Sequence, residues 1–304
     1  MPHDHASQSL LSIRHSGRGL VMPCLALLLT VNGCAFNPFG PGQAAAPVPP
    51  PREADQWQLV THVNSNARRI AAWRCNDATI SAKGMPARLD AKIAVESPQR
   101  FRLVASSFAG NEADFGSNDE RFWFWMRRGE AKNVFTVGHD DFQRLGPRLQ
   151  IPFQPDWLME VLGIAQLDAG EYRMSHDDPQ RRMARLTADR LTPDGRTVQR
   201  SIVIDTKTGV IVEHSLYDGG GKLMARALLS GHQVHQPSGA TMPQQVQLEW
   251  PLAGIEMTLA LGKVEVNPPN LSERTWEIPT IPDSPAMDLG AMYDRSRGVR
   301  PAGF

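Results

Sequence analysis

Short runs of alternating apolar and polar residues, separated by turn residues, fill most of the chain between residues 76 and 265. In residues 87–96, for example, apolar side chains occupy every second position and charged or polar ones lie between them. This alternation is typical of strands that bury one face. Because short turns such as Pro193-Asp194-Gly195 link most runs, neighbouring strands are expected to be antiparallel. The pattern predicts a mainly β (α+β) fold with roughly 10–12 strands.

Two segments show helical spacing instead. In residues 54–74 apolar side chains recur every three or four positions, with Asn64 and Asn66 as weak points in the middle. Residues 155–168 have the same spacing and begin with Pro155, which the first turn of a helix tolerates. We therefore expect one helix before the sheet and a short one in its middle.

The first 33 residues have the pattern of an export signal. Arg14 and Arg18 precede an apolar run over residues 20–31. This run is too short to span a bilayer, which takes about 20 apolar residues. A basic segment followed by a short apolar stretch is typical of a secretory signal peptide.

Residues Val31-Asn32-Gly33-Cys34 resemble a bacterial lipobox, although Asn32 departs from the small apolar residue usual at its position. The resemblance implies that a diacylglycerol is attached to the thiol of Cys34 and that residues 1–33 are removed. The alternative is a plain signal peptide followed by a chance cysteine. Residues 34–53 are rich in Pro, Ala and Gly, which predicts an extended tether between this membrane anchor and the folded domain.

Composition excludes several classes of protein. Lys plus Arg and Asp plus Glu both number 32, so the formal net charge is zero, which argues against a nucleic-acid-binding protein. The three cysteines are too few for a disulfide-stapled scaffold or a cysteine-based zinc ribbon. No cofactor is expected.

The order of these segments and several motifs resemble the LolA/LolB family of lipoprotein carriers. The resemblance covers about residues 54–281, the expected folded domain, and 282–304 are expected to form an extended or disordered tail. The matching segments are 57–73 as the opening helix, Ser-Pro-Gln-Arg-Phe-Arg-Leu-Val at 97–104, Asn-Asp-Glu-Arg-Phe-Trp-Phe-Trp at 118–125, and the ending at 267–279.

This resemblance implies an incomplete antiparallel barrel, or half-barrel, that the two helices close over an apolar cavity. In the family such a cavity holds the acyl chains of a lipoprotein. A lipidated chain is closer to the anchored, LolB-like receptor, which implies an outer-membrane protein that faces the periplasm. The residues predicted to line the cavity lie at apolar positions of four strands: Phe101, Leu103, Phe122, Phe124, Val246, Leu248, Ile255, Met257 and Leu259.

Residues 120–128 carry aromatic side chains on both faces of a predicted strand. Either this strand is covered on both sides, or one face is offered to a ligand or partner.

Four histidines are candidates for metal binding or catalysis. His139 and His176 each precede two aspartates, but adjacent residues on a strand point to opposite faces, so at most one aspartate could join each histidine. His232 and His235 are three residues apart, a spacing that aligns ligands on a helix and not on the strand expected there. We expect neither a metal site nor an enzyme.

Two functions remain open. The first is a lipid or lipoprotein carrier or receptor. The second is an envelope sensor or structural lipoprotein whose concave face binds another protein.

Overall fold

The computed structural model describes residues 46–85, 87–129, 132–145, 155–176, 180–192 and 195–296. The predicted signal peptide, Cys34 and residues 34–45 of the predicted tether lie outside the described residues. Among the residues that are described, none of the helices has both the length and the apolar character needed to cross a membrane.

The described residues form four α-helices and seventeen strands. The helices are α1 Gln56–Ala67, α2 His139–Leu145, α3 Pro155–Val161 and α4 Leu289–Ser296. The first strands are β1 Ala72–Ala82, β2 Leu89–Glu96, β3 Arg100–Ser107, β4 Gly110–Ser117, β5 Arg121–Met126 and β6 Val134–Gly138. The strands that follow are β7 Arg173–His176, β8 Met183–Leu191, β9 Thr197–Asp205, β10 Val210–Asp218, β11 Leu223–Ser230, β12 Gln233–His235, β13 Ala240–Met242, β14 Gln245–Trp250, β15 Ile255–Ala260, β16 Val264–Val266 and β17 Ala286–Asp288.

Fifteen of these strands form one sheet, in the order β17-β6-β5-β4-β3-β2-β1-β15-β14-β11-β10-β9-β8-β7, with β16 paired to β1. Its pairs are antiparallel except β17 with β6, which makes the sheet mixed, and β12 pairs separately with β13. Within the described residues the two outermost strands, β17 and β7, do not pair with each other, so the sheet is open. The mainly β class is confirmed, but the predicted strand number was too low, because β12, β13, β16 and β17 are too short to show alternation.

The N-terminal helix is shorter than predicted. Helix α1 begins after Asp55, whose side chain accepts from the Gln58 N–H while the Gln58 side chain accepts from the Asp55 N–H. It ends at Ala67, and Trp73, expected on this helix, lies on β1. Because β1 pairs with β2 on one side and with β15 and β16 on the other, its backbone hydrogen bonds are made within the sheet.

The middle helix also differs from the prediction. Helix α3 covers Pro155–Val161, and the chain then turns at Gly163, whose φ of 80° suits a residue without a side chain. Helix α2 begins at His139, which we expected to lie on a strand.

One face of the sheet, here called the core face, carries the largest hydrophobic core. It runs from β6 across the central strands to β9 and also takes in buried residues of the segment around α3. A second core joins α1 to β8 and β9 through residues such as Leu59, Val60, Leu186 and Ile202. Strand registers place the core-face residues in continuous rows, for example Val95 opposite Phe101 and Ser117 opposite Phe122.

The opposite face of β5 is covered by the C-terminal segment. Trp123 and Trp125 form a third core with Val134, against which Ile278 and Ile281 pack. The Trp123 indole lies directly over Gly116 of β4, where a Cβ would clash with its ring. Strand β5 is therefore covered on both sides, the first of the two interpretations of residues 120–128.

The C-terminal residues differ from expectation as well. Residues 282–304 were predicted to be extended or disordered. Ala286–Asp288 form an extended strand, β17, whereas Leu289–Ser296 form the helix α4. Strand β17 adds to the edge of the sheet beside β6, and the backbone N–H of Val134 donates to the Pro285 carbonyl. The edge strand β6 thereby gains backbone partners that local sequence patterns do not reveal. Residues 297–304 lie outside the described part of the chain.

Candidate functional site

The nine residues predicted to line a cavity all lie at positions that point to the core face, but the burial of their side chains differs. Five are buried in the main core: Phe101, Phe122, Val246, Leu248 and Leu259. Leu103, Phe124 and Met257 are only partly buried and pack against that core. Ile255 is 39% exposed at the start of β15. Side chains at four of the nine positions are therefore accessible at least in part.

A row of partly buried apolar side chains crosses β3 to β6, and we call it the apolar row. Leu103 pairs with Phe115, Phe115 with Phe124, and Phe124 with Phe135. The rings of Phe124 and Phe135 stack with their centroids 5.0 Å apart. Phe115 and Phe135 were not identified from the sequence, because only the strand register brings them into line with Leu103 and Phe124.

The surroundings of the apolar row are also apolar. Phe142 of α2 and Leu158 of α3 are partly buried against the same core, as are Leu89 and Met257. Within β2 to β6, all of which are described, the inward positions carry no charged side chain. The row therefore offers dispersion contacts and burial of apolar area, and no fixed charge for a polar ligand.

One end of the sheet exposes further large apolar residues. Because the strands alternate in direction, the loops after β1, β3, β5 and β14 meet at this end, here called the rim. Phe108, in the β3–β4 turn, is fully exposed. Met85, Met126, Leu252 and Ile255 are exposed at the same end. The rim also carries exposed basic side chains, among them Arg127 and Arg128.

The four histidines that are candidates for metal binding lie in different surroundings from one another. Nε2 of His139 lies 2.8 Å from the Asn118 carbonyl oxygen and 3.4 Å from Oγ of Ser117. His176 ends β7, and the two aspartates after it lie outside the described residues. Burial lowers the pKa of both His232 and His235. In the described ranges no group of three or more His, Cys, Asp or Glu side chains is placed to hold a metal ion.

No family model and no curated protein matches this sequence. Several solved structures match most of this chain, at low identity and with TM-scores below 0.5. A DUF1329 family protein from Desulfovibrio piger is 12% identical with a TM-score of 0.47, and the match covers 73% of this chain and 95% of that one. A domain from Vibrio parahaemolyticus named for outer membrane lipoprotein sorting is 9% identical with a TM-score of 0.49, covering 73% and 97%.

A LolA superfamily protein from Nitrosomonas europaea is 11% identical with a TM-score of 0.45, covering 74% of this chain and 98% of that one. The printed names of these last two structures refer to lipoprotein sorting and to the LolA superfamily.

Proposed function

We propose that this protein binds acyl chains of a lipid or lipoprotein in a half-barrel, as an exported lipoprotein anchored through Cys34 in the bacterial outer membrane and facing the periplasm. The observation that carries the proposal is the apolar row Leu103-Phe115-Phe124-Phe135, which is uncharged and only partly covered. The role is one of binding and needs no catalytic group.

Partial exposure of four large apolar side chains in line is unfavourable in water. Each Å² of apolar surface removed from water contributes about 25 cal/mol, so a ligand that covers the row gains affinity without a polar contact. An aliphatic chain suits this surface better than a polar ligand, because an uncharged lining does not compensate the desolvation of polar groups. Met257 of β15, partly buried against the same core, has a flexible side chain that adapts to ligands of different shape.

The helical segments cover other parts of the core face. Trp157 of α3 contacts Trp250 of β14 edge to face, with ring centroids 6.1 Å apart. The indole N–H of Trp73 donates to the Leu162 carbonyl at 3.1 Å. Helix α1 packs against β8 and β9. In this proposal α1 and the segment around α3 close the half-barrel over β8, β9 and β14, while the apolar row beside them receives the ligand.

The rim gives the ligand a route from a membrane. Met126 lies at the end of β5, two residues beyond Phe124 on the same face, so the apolar row continues to the exposed rim. In this proposal the rim rests on the lipid surface, its apolar side chains enter the headgroup region, and acyl chains pass directly to the row.

Two variants of β5 test acyl-chain binding against a purely structural role. Phe122 is 0% exposed whereas Phe124 is partly buried, and both lie on the core face. We expect Phe122→Ala to cost about 3–5 kcal/mol of unfolding free energy and Phe124→Ala clearly less. Displacement of a fluorescent fatty acid should show the opposite order, with the larger loss of affinity in Phe124→Ala.

Fatty-acid binding by the wild-type protein can also contradict the proposal. If the folded wild-type protein shows no saturable binding at micromolar probe, the row does not bind acyl chains. The alternative is then the sensor or structural lipoprotein, with a protein partner on the same face.

The anchor requires a separate experiment. We expect Cys34→Ala to give an unprocessed protein, or a soluble one without lipid. A variant that still partitions into detergent with the wild-type mature mass would show that Cys34 is not lipidated.

A further inference from the structure

A cavity of about 180 Å³, separate from the apolar row, lies between α1, residues 160–167 and strands β10 to β13. None of the nine residues predicted from the sequence lines it. Its walls are largely apolar, and six of the residues that form them are Val63, Ala67, Ile70, Val161, Leu162 and Leu229. In volume it resembles an engineered protein cavity of about 150 Å³ that binds benzene, so it has room for a single six-membered ring.

His214 of β10 is the most buried polar residue of this lining. It is 2% exposed and is flanked by Ile202 of β9 and Ala227 of β11. Its Nδ1 is buried and has no hydrogen-bond partner in the described structure. Burial, with a contribution from Arg200, lowers the pKa of His214 to about 3, so the imidazole is neutral at physiological pH. A buried polar atom without a partner is costly, and a ligand that bonds to it gains the missing interaction.

The charged groups around this cavity are already paired. Glu160, which also lines it, bonds to the Arg200 guanidinium, and each of these side chains is only 9% exposed. Arg69 at the lining donates to a main-chain carbonyl at 2.7 Å. Burial lowers the pKa of His62 and of His232, which favours their neutral forms. This lining therefore suits an uncharged ligand.

We propose that this cavity binds a small uncharged molecule in which one hydroxyl group is attached to an apolar ring or short chain, the hydroxyl bonding to Nδ1 of His214. A hydroxyl group both donates and accepts, so it satisfies Nδ1 in either tautomer of the neutral imidazole. The apolar walls cover the rest of the molecule. This site uses other residues than the apolar row, so its test is independent of acyl-chain binding.

Phenol and toluene form a matched pair of probes, since they are similar in size and differ in the hydroxyl group. In calorimetric titrations of the full chain we expect phenol to bind about 3- to 10-fold more tightly than toluene, the contribution of one hydrogen bond. His214→Leu should abolish this preference. His235→Leu is the matched control, because His235 also has a buried nitrogen without a partner but does not line the cavity. It should keep the preference.

A second variant keeps the test decisive if His214→Leu fails to fold. Ala67→Leu adds three carbon atoms to the wall and should block both probes. In ¹⁵N spectra of the imidazoles, phenol should shift one histidine of the wild type and none in Ala67→Leu. The proposal is overturned if phenol does not bind saturably, if toluene binds equally well, or if the preference survives in a folded His214→Leu. Equal or absent binding would indicate that water satisfies Nδ1.

Discussion

Two asparagines of α1 fix the position of the helix through their side chains. Nδ2 of Asn64 donates to the Leu167 carbonyl at 2.8 Å, and Oδ1 of Asn64 accepts from the Leu167 N–H at the same distance. Asn66 makes the same pair of bonds with Thr241 of β13, at 2.8 and 2.7 Å. These residues have low helix propensity. The side chain of each, however, bonds to both the N–H and the C=O of one backbone residue, in a loop for Asn64 and in a short strand for Asn66.

The first prediction compares these two asparagines. Asn64→Ala removes the hydrogen bonds to the backbone N–H and C=O of Leu167, which is buried. We expect this variant to lower the unfolding free energy by about 2–4 kcal/mol. Asn66→Ala should cost only roughly 1 kcal/mol, because Thr241 is partly exposed and water can replace the lost bonds. Urea unfolding followed by circular dichroism measures both. Equal costs would show that burial of the backbone partner does not decide the effect.

His214 makes stability depend on pH. Its pKa is about 3 in the folded protein and 6.5 in the unfolded chain. Above pH 6.5 both states are neutral. Between pH 6.5 and 3 only the unfolded state takes up the proton, so the unfolding free energy should fall by up to about 1.4 kcal/mol for each pH unit.

The second prediction therefore concerns the difference between wild type and His214→Leu, in which other titrating groups cancel. The stability of the wild type relative to the variant should decrease as the pH is lowered from 6.5 to 4. Unfolding curves at several pH values measure this difference. Two parallel pH profiles would be inconsistent with a neutral, buried His214.

At the scale of whole elements, the C-terminal segment acts as a cover for the outer face of the sheet. The Asn118 side chain donates to the Trp276 carbonyl at 3.2 Å, and the Trp125 indole N–H donates to Oγ of Ser284 at the same distance. Asp114, which is buried on this face, accepts from Arg102 and from the Trp123 indole. The cover is thus held by hydrogen bonds at its ends and by apolar packing between them.

The third prediction tests how much this cover contributes. Trp276 is buried, and Trp276→Ala should cost about 3–5 kcal/mol of unfolding free energy. The exposed neighbour Thr280 is the control, and Thr280→Ala should stay within about 0.5 kcal/mol of wild type. Thermal or urea unfolding measures both. A small effect of Trp276→Ala would mean that the C-terminal segment is not part of the cooperative fold.

Local alternation predicts an element well when the strand is long and buries one face. The alternation over residues 87–96, for example, corresponds to β2, which the structure places at Leu89–Glu96. Trp73 was misplaced because the residues around it satisfy helical spacing as well as alternation. Strand β17 and the link from Phe115 to Phe135 depend on pairing between distant parts of the chain, which local periodicity does not encode.

For the molecule as a whole, the open sheet separates two kinds of apolar surface. Around Phe101, Phe122 and Leu259 the core face is fully buried and serves stability. Around the apolar row and the rim it is incompletely covered, and Phe108 is fully exposed. Exposed large apolar side chains gathered at one end of a protein mark a site of interaction with a membrane or a partner. The basic residues Arg127 and Arg128 beside them share a single carboxylate, that of Glu112, so the positive charge that exceeds it favours an anionic lipid surface.

The last prediction follows from that arrangement. In a chain that begins at Ala46, the first described residue, and so lacks Cys34, Phe108→Ser should weaken binding to anionic phospholipid vesicles about tenfold, because the phenylalanine side chain that enters the lipid surface is lost. Trp57→Ser is the matched control, since Trp57 is also exposed but lies on α1, outside the rim, and its variant should bind as the parent does. Vesicle co-sedimentation measures both.

Fatty-acid displacement without vesicles should be the same in the Phe108 variant and the parent, because Phe108 lies beyond the apolar row. Equal vesicle binding by the Phe108 variant and the parent would show that the rim does not contact the membrane.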